Sequence, residues 1–463
     1  MTDRIAVKTL EVSAPEALAV RGPIHTRAFT GLFRNLRRIG AGILMLIFFA
    51  TVWLNHNGHQ AVLWDIEDRK FFIFGATFWP QDFVLLSALL IIAAFGLFFI
   101  TVLAGRVWCG YSCPQSMWMW LFMWAEKVTE GDRAQRIKLS SAPFGFNKLV
   151  KRTLKHSLWL FISVATAITF VGYFTPVREL VIDLVTLEVG LGAGFWVAAF
   201  TVATYLNAGF LREQVCVHMC PYSRFQSVMF DQDTLVVAYD AARGEPRGAR
   251  NKSVDAMAQG LGSCIDCTLC VQVCPTGIDI RQGLQIECIG CGACVDVCNS
   301  VMDKMGYAPN LISYTSERAQ TGGKTHFLRP SAVGYGAALV AMIGLFIWAL
   351  VSRDPLDLNV IKDRAMYRTN ALGQVENDYL LRLINKTQEP RQYEVRLVTN
   401  EPLSMPVKSA IKVDAGEVYE LPVTVVLPKR DQVSTRKIHF ELRELASEAS
   451  VLSESIFTSP IRY

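Results

Sequence analysis

Eight cysteines between residues 264 and 298 fall into two copies of one spacing. Cys264, Cys267, Cys270 and Cys274 form C-x2-C-x2-C-x3-C, followed by Pro275; Cys288, Cys291, Cys294 and Cys298 repeat it, followed by Asn299. Two such runs are the ligand set of a bacterial ferredoxin with two 4Fe–4S clusters. Three thiolates on a tight loop can each reach a different iron of one cubane, and the fourth, farther along, ligates the neighbouring cluster. The spacing therefore assigns Cys264, Cys267, Cys270 and Cys298 to one cluster, and Cys288, Cys291, Cys294 and Cys274 to the other. Electrons are expected to pass between clusters set so close. Zinc usually takes two separated C-x2-C pairs, and disulfides suit neither this crowding nor a reducing compartment, so both fit less well.

The remaining four of the 12 cysteines make a second pattern. Cys109 and Cys113 precede Pro114, and Cys216 and Cys220 precede Pro221, so each pair reads C-x3-C-P. Residues four apart share a helix face, which would let each pair aim two sulfurs at one point, and the proline favours a local break there. A single pair reads equally well as buried small hydrophobes. Two pairs at matched positions, each ending an apolar stretch, point instead to a redox or soft-metal site, and thiolates suit Cu(I). His218 and Met219 read as spacers within the second pair. His56 and His59 read as part of a solvated loop ahead of a metal site.

The elements that must position these residues are largely apolar. The chain of 463 residues is 51% hydrophobic and 19% charged, too apolar for an ordinary soluble protein of this length. A net charge of +5 gives no case for nucleic-acid binding. Five stretches approach the ~20 apolar residues that a bilayer span needs: 39–54, 83–103, 158–174, 191–211 and 333–351, the first being short. The leading 38 residues are polar and basic, without the apolar core of a cleavable signal peptide.

Arg34, Arg37 and Arg38 before the first span, and nine basic residues between Arg106 and Lys155, put those segments in the cytoplasm by the positive-inside rule. Glu179, Asp183 and Glu188 mark an outside loop. Trp108, Trp118, Trp120 and Trp124 read as an interfacial aromatic belt. The expected organisation is a cytoplasmic segment 1–38, a four-helix transmembrane core 39–211, a cytoplasmic ferredoxin-like domain 212–330, a fifth span 331–351 and an exported domain 352–463. Residues 243–252 read as a linker. The tail alternates apolar and polar residues over 379–384, 393–398, 418–427 and 437–442, the period of a small antiparallel β-sandwich. The fold class expected is thus a multi-domain membrane protein: an α-helical transmembrane bundle, an inserted ferredoxin-like domain and a C-terminal β-sandwich.

The runs Trp64-Asp65-Ile66, Arg69-Lys70-Phe71, Phe78-Trp79-Pro80-Gln81-Asp82 and Trp108-Cys109-Gly110-Tyr111, with Cys113-Pro114-Gln115, resemble the FixG/CcoG/RdxA family of cytochrome oxidase accessory proteins. Cys264-Ile265-Asp266-Cys267 and the stretch from Cys274-Pro275 to Ile280-Arg281 add to the resemblance, which covers nearly the whole chain. It implies an immunoglobulin-like fold for the tail. It also implies a bacterial inner-membrane location and a role in assembling the cbb-type oxidase, with reduction of Cu(II) to Cu(I) for delivery to that oxidase. The implied partners are a cytoplasmic electron donor and the oxidase's copper-delivery proteins; a homo-oligomer is compatible with the pattern. The eight cluster cysteines would relay electrons, and Cys109, Cys113, Cys216 and Cys220 would be the copper-reducing, catalytic site. A quinol-linked polyferredoxin subunit and a copper-holding scaffold with structural clusters are the competing readings. Asn299, where the first run has Pro275, departs from the pattern without touching a ligand.

Overall fold

The computed structural model describes residues 24–56, 58–67, 69–252, 260–352, 356–387, 389–399, 402–406, 410–427, 436–447 and 449–459. Most of the expected segment 1–38 therefore lies outside the described residues. The chain divides into two compact units, one running to Leu54 and again over Leu86–Phe346, the other comprising Asn55–Leu85 and the chain from Ile347 onward.

Helices dominate the first unit. They are α1 (Leu32–Thr51), α2 (Phe83–Ala104), α3 (Val107–Tyr111), α4 (Pro114–Glu130), α5 (Arg133–Ser141), α6 (Phe146–Val171), α7 (Val177–Thr186), α8 (Leu191–Thr204), α9 (Pro221–Met229), α10 (Leu269–Gln272), α11 (Ala293–Met305) and α12 (Pro330–Val351). A π-helical stretch, Tyr205–Leu211, continues α8. Among the described residues four helices are long and apolar enough to cross a membrane: α2, α6, α8 with its π-helical extension, and α12. The apolar stretches of α2 and α12 are buried nowhere in the structure, exposure that water would penalise. These two helices meet at small residues, where Phe99 packs on Gly336 and Leu339 on Gly96.

The expected first span is not among the four. Its helix starts at Leu32, so its first turns carry Arg34, Arg37 and Arg38 and dilute the apolar run. Likewise α6 begins at Phe146, making Lys148, Lys151, Arg152 and Lys155 parts of a helix where a loop was expected.

Several buried charges of this unit are paired, which offsets the cost of burying them. Glu126 of α4 meets Arg136 of α5 at 2.8 Å and also pairs with Arg212, four residues ahead of Cys216. Glu130, one turn on, meets Lys155 of α6 at 3.2 Å. Residues 243–252 are not a free linker. Arg250 donates to the Tyr307 hydroxyl at 3.0 Å and to the Gly262 carbonyl, and Arg243 donates to the Pro309 carbonyl at 2.9 Å.

The second unit has its core between two antiparallel sheets. One orders Val418–Leu427, Val375–Asn385 and Leu356–Lys362, with Arg368–Thr369 beside the central strand; the other orders Ile411–Val413, Arg391–Val398, Arg436–Glu444 and Ser450–Phe457. Val375, Asn377, Tyr379, Leu381 and Leu383 alternate inward along one strand, the period-two pattern expected of the tail. Tyr379, Leu381, Tyr393, Ile438 and Phe440 fill the interior. The segment after α1, expected as a loop, forms strands: His56 faces His59 across a two-stranded turn, and Val62–Asp65, Lys70–Ile73 and Ala76–Phe78 make a three-stranded sheet.

Candidate metal centre

Both cysteine runs fold into the same backbone loop. In the first, Asp266 and Thr268 flank Cys267 in the left-handed region; in the second, Gly290 and Gly292 flank Cys291 in that region. The sequence repeat is thus a conformational repeat, with residues three and five of each run turned back. Glycine adopts that conformation freely, whereas a β-branched threonine does not. Gly292 has a second constraint, because a Cβ there would lie 2.8 Å from the Phe33 ring.

The loops and the helices behind them bring the cysteines around two small cavities. Cys264, Cys267, Cys270 and Cys298 line one, beside Met302, Leu311 and Ile312. Cys274, Cys288, Cys291 and Cys294 line the other, with Cys270 at its edge and Ile278, Ile280 and Ile289 around it. Cys298 and Cys274 have therefore changed sides relative to their own runs, the grouping the spacing assigns. All twelve cysteines are free thiols, and only Cys267 is exposed.

The donor set suits an iron–sulfur cluster. Burial pushes the Cys270 thiol up to about 11, and the Cys288 and Cys298 thiols up to about 12. Crowded buried thiols of this kind gain by binding iron, which meets the thiolate charge. Backbone N–H groups already point at the sulfurs: Val271 to Cys270, Gly290 to Cys288, Ile312 to Cys298, and Thr276 and Ile278 to Cys274. Such bonds, with apolar walls, set cluster potentials. Among the described residues no three His, Cys, Asp or Glu side chains converge closely enough for a single metal ion.

The C-x3-C-P pairs are built differently from the single helix face expected. Cys109 lies in α3, which stops at Tyr111; Cys113 is extended and serves as the N-cap of α4, whose first residue is Pro114. Cys216 lies in the π-helical turn Val215–Met219, and Cys220 is the extended N-cap of α9, opened by Pro221. Proline forces this. It pushes the preceding residue out of helical conformation and is itself well placed at a helix start. Each pair thus straddles a helix break. His218 and Met219 are exposed spacers.

The structure brings the two pairs together. The Cys109 thiol donates to Gln226 Oε1 of α9 at 3.4 Å. The Gln115 amide donates to the Asn207 and Arg212 carbonyls at 3.0 and 3.1 Å, tying the start of α4 to the approach to Cys216. Burial raises the Cys109 thiol to about 11 and the Cys216 thiol to about 12, and in both cases Cys113 is the next cause.

These pairs also abut the second cysteine run. A Cβ on Gly110 would lie 2.9 Å from Cys291 Cα and from the Gly290 carbonyl oxygen, so α3 rests on the backbone of the cluster loop. The buried Arg106 guanidinium donates to the carbonyls of Ile286, Cys288 (3.4 Å) and Ser223, joining that loop to α9. Asp296 of α11 accepts the Phe33 and Arg34 backbone N–H groups at 3.1 and 2.8 Å and caps α1. Sequence reasoning missed Gly110, Arg106, Gln226 and Asp296 as positioning residues. Only Arg106 carried a signal, as a lone cation beside Trp108-Cys109, and it was read as a topogenic charge. Of the tryptophans, Trp108 and Trp124 are exposed as a belt requires, whereas Trp118 donates to Thr166 at 2.9 Å and Trp120 lies under the Arg37 guanidinium at 3.7 Å.

Gly110→Val should lower stability by about 1–3 kcal/mol, because rigid backbone stands where the new side chain must go. Denaturant unfolding of the purified protein checks this, with the spectrum of the bound clusters as a second readout. Unchanged values in both would mean that the loop yields.

A family model described as a 4Fe-4S dicluster domain matches residues 211–317, and one described as an IG-like fold at the C-terminal of FixG, putative oxidoreductase, matches residues 346–460. The "Nitrogen fixation protein FixG" of Rhizobium meliloti is 35% identical over 92% of this chain and 92% of its own length. The chain belongs to the FixG/RdxA family. "Protein RdxB" of Cereibacter sphaeroides is 38% identical over 95% of this chain and 96% of its own length, and "Protein RdxA" of the same organism is 39% identical over 81% and 82%. A solved structure of a FixG-related protein from Vibrio parahaemolyticus aligns over 24% of this chain and 100% of its own, with 32% identity and a TM-score of 0.22. The chain is an iron–sulfur redox protein with an electron-transfer role. Its C-terminal domain is immunoglobulin-like.

Proposed function

We propose that this protein is a multi-pass inner-membrane cupric reductase, which presents Cu(II) at the Cys109, Cys113, Cys216 and Cys220 thiols for one-electron reduction. Copper is here the substrate. Cys264, Cys267, Cys270 and Cys298 would hold one 4Fe–4S cluster, and Cys288, Cys291, Cys294 and Cys274 the other. When bound, these clusters would supply single electrons. The observation that carries the reading is the seating of Gly110, next to Cys109, on the backbone of Gly290 and Cys291. It leaves no intervening layer between the second cysteine run and the thiol pairs.

The chain's residues have definite tasks in this scheme. Thiolates prefer Cu(I) to Cu(II), so cysteine ligation favours the reduced ion. Gln226 holds the Cys109 thiol, and Arg106 fixes the loop carrying Cys288 against α9. Four apolar helices anchor the assembly. The basic residues flanking them put the cysteine runs on the cytoplasmic side and the immunoglobulin-like domain on the other. The family resemblance makes the product Cu(I) a supply for cbb-type oxidase assembly, handed to copper-delivery proteins.

Cys109→Ser combined with Cys216→Ser is expected to bring anaerobic Cu(II) reduction, followed with a Cu(I)-specific chelator, down to background while the iron–sulfur absorbance stays intact. Reduction surviving the double change would remove the thiol site and leave a quinol-linked relay as the better reading.

A further inference from the structure

A cavity of about 630 Å³ opens between α1 and α4, within the range of small-molecule sites. Its lining changes character. Arg27, Arg34, Arg38 and Lys127 contribute cationic side chains, while Met45, Leu121 and Trp124 contribute an apolar wall.

Half of the cations here are already committed. Lys127 reaches Asp132 at 3.9 Å, Arg136 pairs with Glu126, and Arg37 is stacked on Trp120 with a contact to the Cys291 carbonyl at 3.5 Å. The side chains of Arg27, Arg34 and Arg38 make no ion pair among the described residues. Arg34 and Arg38 stand one turn apart on α1, on one face. Asp296 is within electrostatic reach of Arg34, but its oxygens are taken up by the backbone N–H groups of Phe33 and Arg34. Burial, then the charges of Arg38 and Arg37, depress the Arg34 pKa. Three crowded cations against the single carboxylate of Asp296 call for a further anion. The apolar wall beside them calls for hydrocarbon.

We propose that this cavity seats one anionic phospholipid, its phosphate held by Arg27, Arg34 and Arg38 and an acyl chain lying along Met45, Leu121 and Trp124. The site rests on the reading of the apolar helices as membrane spans. Basic residues at a membrane surface meet the headgroups of anionic lipids. Free phosphate would satisfy the arginines and leave the apolar wall wet. A neutral isoprenoid or quinone would cover the wall and leave the arginines uncompensated.

The test uses the full chain with its clusters, equilibrated with phosphatidylcholine vesicles that lack or contain phosphatidylglycerol. Retained lipid is counted by native mass spectrometry. The expected result is one phosphatidylglycerol per chain and no retained phosphatidylcholine, undisturbed by excess inorganic phosphate. Arg34→Gln with Arg38→Gln should weaken retention about thirtyfold, two interfacial cationic contacts being lost. Arg38→Gln alone, at an exposed position, should cost about fivefold, and serves if the double variant loses its iron. Lys138→Gln, an exposed cation outside the cavity, should change nothing. Equal retention of both lipids, retention unaltered in Arg38→Gln, or displacement by inorganic phosphate would each overturn the proposal. None of these readouts depends on copper reduction, so failure here leaves the cupric-reductase reading standing.

Discussion

Cys298→Ser should cost the protein about half of its iron and acid-labile sulfide, and adding Cys264→Ser should cost no more. The two residues are 34 positions apart in different runs, yet their side chains line the same cavity. Cys298→Ser combined with Cys294→Ser should instead remove nearly all the iron, although these two are neighbours on one face of α11, because Cys294 lines the other cavity. Perturbations that act on one unit fail to add, whereas those on separate units add. Iron and sulfide analysis of anaerobically purified variants decides the matter. Complete loss in the Cys298/Cys264 pair would mean that each run serves its own cluster, or that neither cluster survives alone.

Glu126→Ala should destabilise the helical unit by about 3–5 kcal/mol, since it strands two guanidinium groups that were paired with one buried carboxylate. Arg136, only 3% exposed at its side chain, and Arg212 at 11% would both lose their counter-charge. Replacing an ion pair outright by apolar residues is far less costly than removing one partner, which is why the single substitution is the informative one. Thermal unfolding in detergent should show a fall of about 10 °C. An unchanged midpoint would mean that water reaches the cluster and screens it. Because Arg212 lies four residues before Cys216, the same substitution should also loosen the second thiol pair.

Much of this architecture could be read from the chain because its constraints are local. Ligand loops need fixed intervals, so the spacing from Cys264 to Cys298 grouped the cysteines as the two cavities do, with Cys274 and Cys298 each lining the cavity opposite their own run. The apolar runs within α2, α6, α8 and α12 announced the long helices, and alternation announced the strands around Tyr379, Tyr393, Val423 and Ile438. Leu356–Lys362 went unread although Leu356, Leu358 and Val360 alternate inward. Ser450–Phe457 was harder, because Ser453 and Ser455 share the inner side with Val451 and Phe457 and thin its apolar period. The thiol pairs misled because spacing alone cannot say whether a helix continues. Pro114 and Pro221 stop it short of the second cysteine and turn Cys113 and Cys220 into caps. Arg106 and Asp296 were illegible for another reason. Their partners are backbone groups far along the sequence, and nothing in residue type marks a carbonyl at Ile286 or an N–H at Arg34.

The cap on α1 bears on how the protein is made. A ribosome finishes the first helix long before it reaches Asp296, which lies 263 residues beyond Phe33. Until then the amide groups at the start of that helix must rely on water. Synthesis of the second cysteine run supplies the missing acceptor and the surface on which Gly110 comes to rest. The start of α1 therefore gains its acceptor only after the second cysteine run is made, and a nascent chain stalled before residue 296 would present an uncapped helix to the cell's proteases.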